Sequence, residues 1–253
     1  VDSAKTDART QSAMTTPIHV ISLTSAADRR ESFTRSIEGQ DLDWRFFDAH
    51  REPVGIHYDE VAAIRHHGRP LQPGEIGVYS SHAALWRQLV ADPTTNQYLI
   101  LEDDVIADWA AIRMLCAIDY AAEGMEYLKL FYKLPSPHLP DRRNWPVPGF
   151  YVVRLYGKPY GAQGYFITKK AAARFLELYN DAVRPIDDQT DRFWENGIPN
   201  RCIFPFPIME AYRPSTIGPA RFAGKQTRAA KMRLGADRMR RKIAFMLDRT
   251  LKR

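Results

Sequence analysis

The chain has 253 residues, 45% hydrophobic, 26% charged and 11% aromatic, with a formal net charge of +6. That balance suits a globular protein with a substantial core and excludes wholly disordered, collagen-like and mucin-like chains. Two cysteines, Cys116 and Cys202, cannot build a disulfide framework or a Cys-rich zinc site, and they read as reduced thiols of a cytosolic protein.

Residues 1–16 are polar, lack an apolar core of the secretory-signal kind and are expected to form a flexible leader. Between residues 17 and 220, short β-like runs alternate with helical patterns, which predicts an α/β layer fold. Ile18 to Leu23 is an apolar run with strand character. A helix follows, with Ser25 at its N-cap and Asp28 three residues on, in the manner of a capping box. Trp44 to Phe47 is strand-like, and residues 51–73 read as irregular because of Pro53, Gly55, Gly68, Pro70 and Pro73. Val78, Leu85, Trp86 and Leu89 share one face of a helix expected over 77–90.

Tyr98 to Leu101 is a short strand that runs straight into Glu102-Asp103-Asp104. A helix is expected from Trp109 to Ile118, the most apolar stretch of the chain, but Arg113 interrupts it and no segment is long enough to span a bilayer. Tyr127 to Tyr132, Phe150 to Leu155, Ala162 to Thr168 and Arg201 to Phe204 read as strands, with Leu134 to Gly149 a proline-rich loop. Lys169 to Tyr179 and Asp188 to Trp194 read as helices.

The acidic triplet carries the most chemical information. Like charges about 4 Å apart repel by roughly 4 kcal/mol at an effective dielectric of 20, so three adjacent carboxylates are costly in a secluded site. A divalent cation would reverse that cost, and oxygen ligands suit Mg²⁺ or Mn²⁺. In extended backbone Glu102 and Asp104 would face one side and Asp103 the other. An acidic turn in water is the competing explanation. In open α/β sheets, ligands lie beyond the carboxyl ends of strands, where this triplet stands.

Other features are weaker alone. Gly74-Glu75-Ile76-Gly77 precedes Ser81, His82 and Trp86, and amides at that helix start could meet an anion. His82 shares its face with Val78 and Trp86, as a core histidine would. Arg29 and Arg30 could reach a diphosphate or form a solvated surface pair. Gly161 and Gly164 bracket a strand start, where glycine marks either a bulge or close approach to a ligand. Asp187 and Asp188, with Asp191 beyond, could supply a general base or a further metal contact, or simply favour a helix N-terminus. There is no P-loop, no GxGxxG after the first strand, no GxSxG and no histidine cluster with zinc-ligand spacing.

In order, these pieces resemble glycosyltransferase family 25, the lipopolysaccharide-biosynthesis galactosyltransferase family. The matching text runs from Ile18–Leu23 with Asp28-Arg29-Arg30, through Phe47-Asp48-Ala49, Gly74–Gly77 with Ser81-His82 and Trp86, to Leu99–Asp104. It continues through Leu128-Lys129-Leu130, Gly161-Ala162-x-Gly164-Tyr165 and Pro185-x-Asp187 to Ser215-Thr216-Ile217-Gly218, spanning about residues 17–218.

The resemblance implies a GT-A-like mixed sheet flanked by helices, a nucleotide-sugar donor such as UDP-galactose, and inverting transfer to a sugar hydroxyl. It implies a divalent metal held by Asp104 and Glu102, with Glu102 or Asp103 near the ribose. Glu102 departs from the usual Asp-x-Asp pattern, which leaves open which carboxylate touches the metal. Donor contacts are implied for Arg29, Arg30, Glu75, His82, Glu102, Asp103, Gly161 and Gly164. Asp187 is the implied base, with Asp188 its rival. No histidine follows His138, so any late metal contact falls to Asp187, Asp188 or water.

Residues 221–253 carry 12 Lys/Arg against 2 Asp/Glu, leaving the rest of the chain mildly acidic. Lys231 to Arg253 reads as a helix, in which Met232, Met239, Ile243, Met246 and Leu247 recur at near-helical spacing with cations between. Such a helix suits an anionic membrane surface, which would place the enzyme on the cytoplasmic leaflet beside a lipid-linked saccharide acceptor. A helix packed on the body is the alternative, and nucleic acid is a poor third because no recognised binding motif accompanies the charge. Two rival functions remain open: a non-catalytic membrane- or nucleic-acid-binding protein, and another metal-dependent nucleotide enzyme such as a nucleotidyltransferase.

Overall fold

The computed structural model describes residues 15–211 and 228–251. In chain order the first elements are β1 (Ile18–Ser22), α1 (Ala27–Ile37), β2 (Trp44–Asp48), α2 (Glu60–His67), α3 (Pro73–Ala91) and β3 (Gln97–Glu102). Next come β4 (Val105–Ala107), α4 (Trp109–Cys116), β5 (Tyr127–Lys129), β6 (His138–Arg143), β7 (Tyr151–Leu155) and β8 (Gly164–Thr168). The series ends with α5 (Lys169–Leu178), α6 (Ile186–Thr190), α7 (Phe193–Asn196), β9 (Arg201–Phe204), β10 (Ile208–Glu210) and α8 (Arg228–Leu251).

Eight strands form one mixed sheet in the order β2-β1-β3-β8-β5-β9-β7-β6, and β10 pairs with β4 in a separate ribbon. β1 lies parallel to β2 and β3, whereas β8 runs antiparallel to β3 and β5. The expected mixed α/β sheet flanked by helices is therefore what the chain forms. Period-2 alternation along β3 sends Tyr98 and Ile100 to one face, with α3 and α5, and Leu99 and Leu101 to the other, with α1 and α4. Each face has its own core, and a buried Leu, Ile or Phe contributes about 1.5–3 kcal/mol.

Several local expectations are corrected. Helix α1 starts at Ala27 with no side-chain cap, because a turn from Leu23 to Ala26 leaves Ser25 outside it. Ser25 instead accepts from Arg51 at 2.6 Å. The stretch read as irregular holds α2, capped by Asp59 and stopped by left-handed Gly68. Helix α3 starts at Pro73, four residues early, because Gln72 and Glu75 form its capping box. The proline-rich loop contains β6, and Pro140 is tolerated because β6 is an edge strand. The short helix expected at 188–194 is two separate turns, α6 and α7.

From Arg228 to Leu251 the basic C-terminal segment is helical, as expected, and it is fastened to the body. Its two acids are the fasteners. Asp237 is buried and accepts from Arg192 Nη2 at 2.7 Å, and Asp248 pairs with Arg154 and Tyr156, each at 2.5 Å. Phe245 packs edge-on against Tyr156 with ring centres 5.2 Å apart. The other side of α8 leaves Met232, Met239, Ile243, Met246, Leu247 and Leu251 exposed. The expected leader, apart from Thr15 and Thr16, and the Ser215–Gly218 segment lie outside the described residues. Among the described residues, no helix is long and apolar enough to cross a membrane.

Candidate active site

Strand β3 delivers the acidic triplet to the edge of the sheet. The Glu102 amide donates to Gln163 O at 2.8 Å, and the strand ends there. Asp103 and Asp104 form the turn into β4, so alternation stops at Glu102. Contrary to the extended-chain expectation, Asp103 and Asp104 line the same cleft, about 250 Å³ in volume, facing Ser32 and Phe33 of α1 and Trp109 of α4. Glu102 stays on the α3 side, where His82 Nε2 lies 3.9 Å from its Oε1. The β4–β10 ribbon brings Glu210 opposite Val105, and the Ala211 amide caps Asp104 O at 2.6 Å.

The three carboxylates have different surroundings. Asp103 is compensated: Ser22 Oγ donates to it at 2.5 Å and Arg29 lies 3.1 Å away. Burial pushes its pKa up, and Ser22 and Arg29 oppose that shift. Asp104 is not compensated in this way. Burial, then the charges of Glu102, Asp103 and Glu210, push its pKa up to about 7. Its Oδ1 is buried without a hydrogen-bond partner. Glu210 pairs with Lys133 at 2.8 Å. Arg30 is committed to Ser22 O at 2.8 Å and Asp48 at 2.5 Å, where it ties the ends of β1 and β2 together.

A buried polar chain stands behind Glu102. Trp86 Nε1 donates to Tyr165 Oη at 3.0 Å, and Tyr165 Oη lies 2.7 Å from His82 Nδ1. An indole N–H only donates. The polarity that satisfies all three groups has Tyr165 accept from Trp86 and donate to His82 Nδ1. That leaves the proton of a neutral His82 on Nε2, facing Glu102. Trp86 and His82 are wholly buried and Tyr165 is 1% exposed. His82 is thus both the core histidine and a neighbour of the acidic site.

The second acidic group stands on α6. Gly161, at φ +91°, donates its amide to Asp187 Oδ2 at 3.1 Å, and Asp187 is half-buried. Gly161 opens the segment whose Gln163 carbonyl binds the Glu102 amide, so this segment links Asp187 to the triplet. A Cβ on Gly161 would fall 2.7 Å from the buried, unpartnered Gln163 Oε1. Gly164 is needed for packing, since a Cβ there would meet Ile208 and Leu101.

Asp188 is buried and held by Lys158 at 2.7 Å, with His67 and Arg192 each at 3.7 Å. Burial opposes its charge, but His67, Lys158 and Arg192 win and hold its pKa well below the carboxylate range. Asp191 meets Lys129 at 2.5 Å, Asn200 at 2.9 Å and the Tyr160 amide at 2.7 Å. Burial pushes its pKa up against Lys129.

Glu75 is engaged within the fold at the start of α3. Both its oxygens take Arg69 at 2.7 Å and one also takes the Gln72 amide at 2.8 Å, so it holds the start of α3. The helix start offers no free amide at Gln72, and Gly77 is there because a Cβ would strike His50 O. Sequence reasoning missed Glu210, Lys133 and Gln163. Glu210 ends a three-residue strand whose partner, β4, lies about a hundred residues earlier, and nothing local marks it.

Residues 15–190 match the model of glycosyltransferase family 25, described as an LPS biosynthesis protein family. The chain is 28% identical over 181 residues to a lipooligosaccharide biosynthesis protein of Haemophilus influenzae, covering 67% of each. It is 28% identical to a lacto-N-neotetraose biosynthesis glycosyltransferase of Neisseria meningitidis, over 67% of this chain and 64% of that one. It is also 26% identical to a procollagen galactosyltransferase of Xenopus laevis, over 63% of this chain but only 28% of that longer protein.

Proposed function

Given that this chain belongs to glycosyltransferase family 25, we propose that it moves a hexose, galactose by preference, from a UDP-sugar to a saccharide acceptor with inversion, in lipopolysaccharide or other cell-surface glycan synthesis. The name of the procollagen relative supports galactose, and those of the bacterial relatives support the glycan setting. A purely non-catalytic role gains no support, because the family match includes the acidic triplet.

The observation that carries the reading is the unpartnered, buried Asp104 Oδ1 among Glu102, Asp103 and Glu210. A carboxylate so placed fits a divalent metal, Mn²⁺ or Mg²⁺. Asp104 would hold it, with Glu102 and Glu210 flanking. Among the described residues no three acid, histidine or cysteine side chains form a closed metal cage. Mg²⁺ sites of this kind use one or two carboxylates and complete their shell with substrate phosphates and water. When bound, the metal supplies charge neutralisation to a diphosphate leaving group.

The protein's own groups do the rest. Arg29, fixed by Asp103, sets positive charge beside that cleft-lining carboxylate. Glu102, faced by the His82 donor, orients the donor sugar nucleotide. Asp187 takes the proton from the acceptor hydroxyl as it attacks. Asp187 suits that role better than Asp188, which is already paired with Lys158 and Arg192. The exposed Met, Ile and Leu side chains of α8, set among Lys and Arg, attach the enzyme to the anionic cytoplasmic leaflet, where a lipid-linked acceptor resides.

A UDP-release screen over UDP-hexoses with Mn²⁺, repeated with Asp104→Asn, tests the reading. UDP-galactose should give the highest turnover, and the variant should lose it. Undiminished turnover in the variant would overturn the metal assignment.

A further inference from the structure

Where α2 meets α8, two guanidiniums converge on one acceptor. Arg233 Nη1 lies 2.9 Å and Arg184 Nη2 lies 3.4 Å from His66 Nδ1. A neutral imidazole nitrogen offers a single lone pair, so it serves only one of these donors well. Burial, then the charges of Arg184, Arg233 and Arg65, lower the pKa of His66 and favour its neutral form. Arg184 is itself buried, at 8% exposure, and reaches Gln189 Oε1 at 3.2 Å through its other nitrogen.

The acids nearby are already engaged. Asp188 is held by Lys158, and Glu195 and Asp237 are both bound by Arg192 at 2.6 and 2.7 Å. Among the described residues, the seam therefore gathers more cationic donors than acceptors. A group with several charged oxygens in place of one lone pair would satisfy both guanidiniums, and phosphate is the group arginine pairs with best.

The seam adjoins the proposed base. His67 reaches Asp188 at 3.7 Å, and Arg184 precedes Asp187 by three residues, a span of about 10 Å at most. We propose that Arg184 and Arg233, across the α2–α8 seam, bind a phosphate group on the acceptor side of the enzyme. As an acceptor subsite the proposal rests on Asp187 serving as base. The phosphate comes either from a substituent on the saccharide or from a lipid headgroup. It also gives α8 a task beyond attachment, since Arg233 is contributed by that helix.

Inorganic phosphate is the probe, titrated into the full chain and followed through the NMR signal of the His66 ring. Phosphate should shift that signal at millimolar concentration, and chloride at matched ionic strength should not. Arg233→Gln, at an exposed position, should weaken phosphate binding about tenfold. Arg184→Lys keeps the buried charge but loses the fork, and should weaken it severalfold. Asp104→Asn should bind phosphate like the parent, so failure of the glycosyltransferase reading would leave this result legible.

Vesicles of phosphatidylcholine with phosphatidylglycerol separate the two sources. Competition with phosphate at the His66 signal supports a headgroup. Vesicle binding without competition supports a phosphorylated saccharide. A His66 signal unmoved by phosphate, or moved equally in Arg233→Gln, would overturn the proposal.

Discussion

Two groups of buried or half-buried acids stand at the ends of the segment joining Asp187 to Glu102, and they are built on opposite principles. Around α6, Asp188 and Asp191 meet lysine, arginine, histidine and backbone donors inside the fold. At the end of β3, Asp104 has an unpartnered oxygen and three acidic neighbours. A buried carboxylate that neighbouring cations compensate, as Lys158 and Arg192 do for Asp188 and Lys129 for Asp191, holds structure together. One that the fold leaves short of cations is destabilising by itself and makes sense as half of a site completed by something that binds. The residue type is the same in both places, and only the surrounding donors separate scaffold from chemistry.

The largest effect should come from breaking the scaffold acids. Asp191→Ala strands the fully buried Lys129 ammonium and should cost about 3–5 kcal/mol, read as a fall in denaturant midpoint. The same kind of change at the other group should move stability the opposite way. The folded-state pKa of Asp104 lies above its ordinary value, so its ionisation favours the unfolded chain. Its contribution to stability is complete below the ordinary carboxylate range and is lost as pH rises through about 7. Asp104→Asn should therefore raise the melting temperature of the metal-free protein at pH 8 while lowering kcat/KM at least about a hundredfold. A variant that is both less stable and fully active would show that Asp104 belongs with the structural acids.

Smaller effects are expected at α8 and behind Glu102. Asp237→Ala removes one of the fasteners of α8 from Arg192 and should cost about 1–3 kcal/mol in chemical unfolding. An unchanged midpoint would mean that α8 is a loose tether. Trp86→Phe removes the donor that sets the polar chain behind Glu102 and should cost about 1 kcal/mol. The sharper readout is the ring-nitrogen chemical shifts of His82. The parent should carry its proton on Nε2, and a parent protonated on Nδ1 would refute the assigned polarity.

Much of this was legible before any coordinates. Apolar runs such as Ile18–Ser22 and Tyr98–Leu101 announce buried strands, and a triplet of acids directly after one of them is a local signal. Polar β6 hid behind Pro140 because edge strands need neither apolar residues nor a full set of amide donors. Helix α2 carried its own punctuation in Asp59 and Gly68, which the surrounding prolines and glycines masked. Glu210 could not be seen, because its place beside Asp104 depends on a ribbon between strands far apart in the chain. The differing fates of Asp104 and Asp188 were hidden for the same reason: Lys158, His67 and Arg192 reach Asp188 only through tertiary packing.

The most direct test is Mn²⁺ binding to the full chain, followed by electron paramagnetic resonance in the presence of UDP as pH is varied. One ion should bind per chain, with affinity that falls as pH drops through about 7 while Asp104 takes up its proton, and Asp104→Asn should have no such site. Equal binding by parent and variant across that range would contradict a metal held by Asp104.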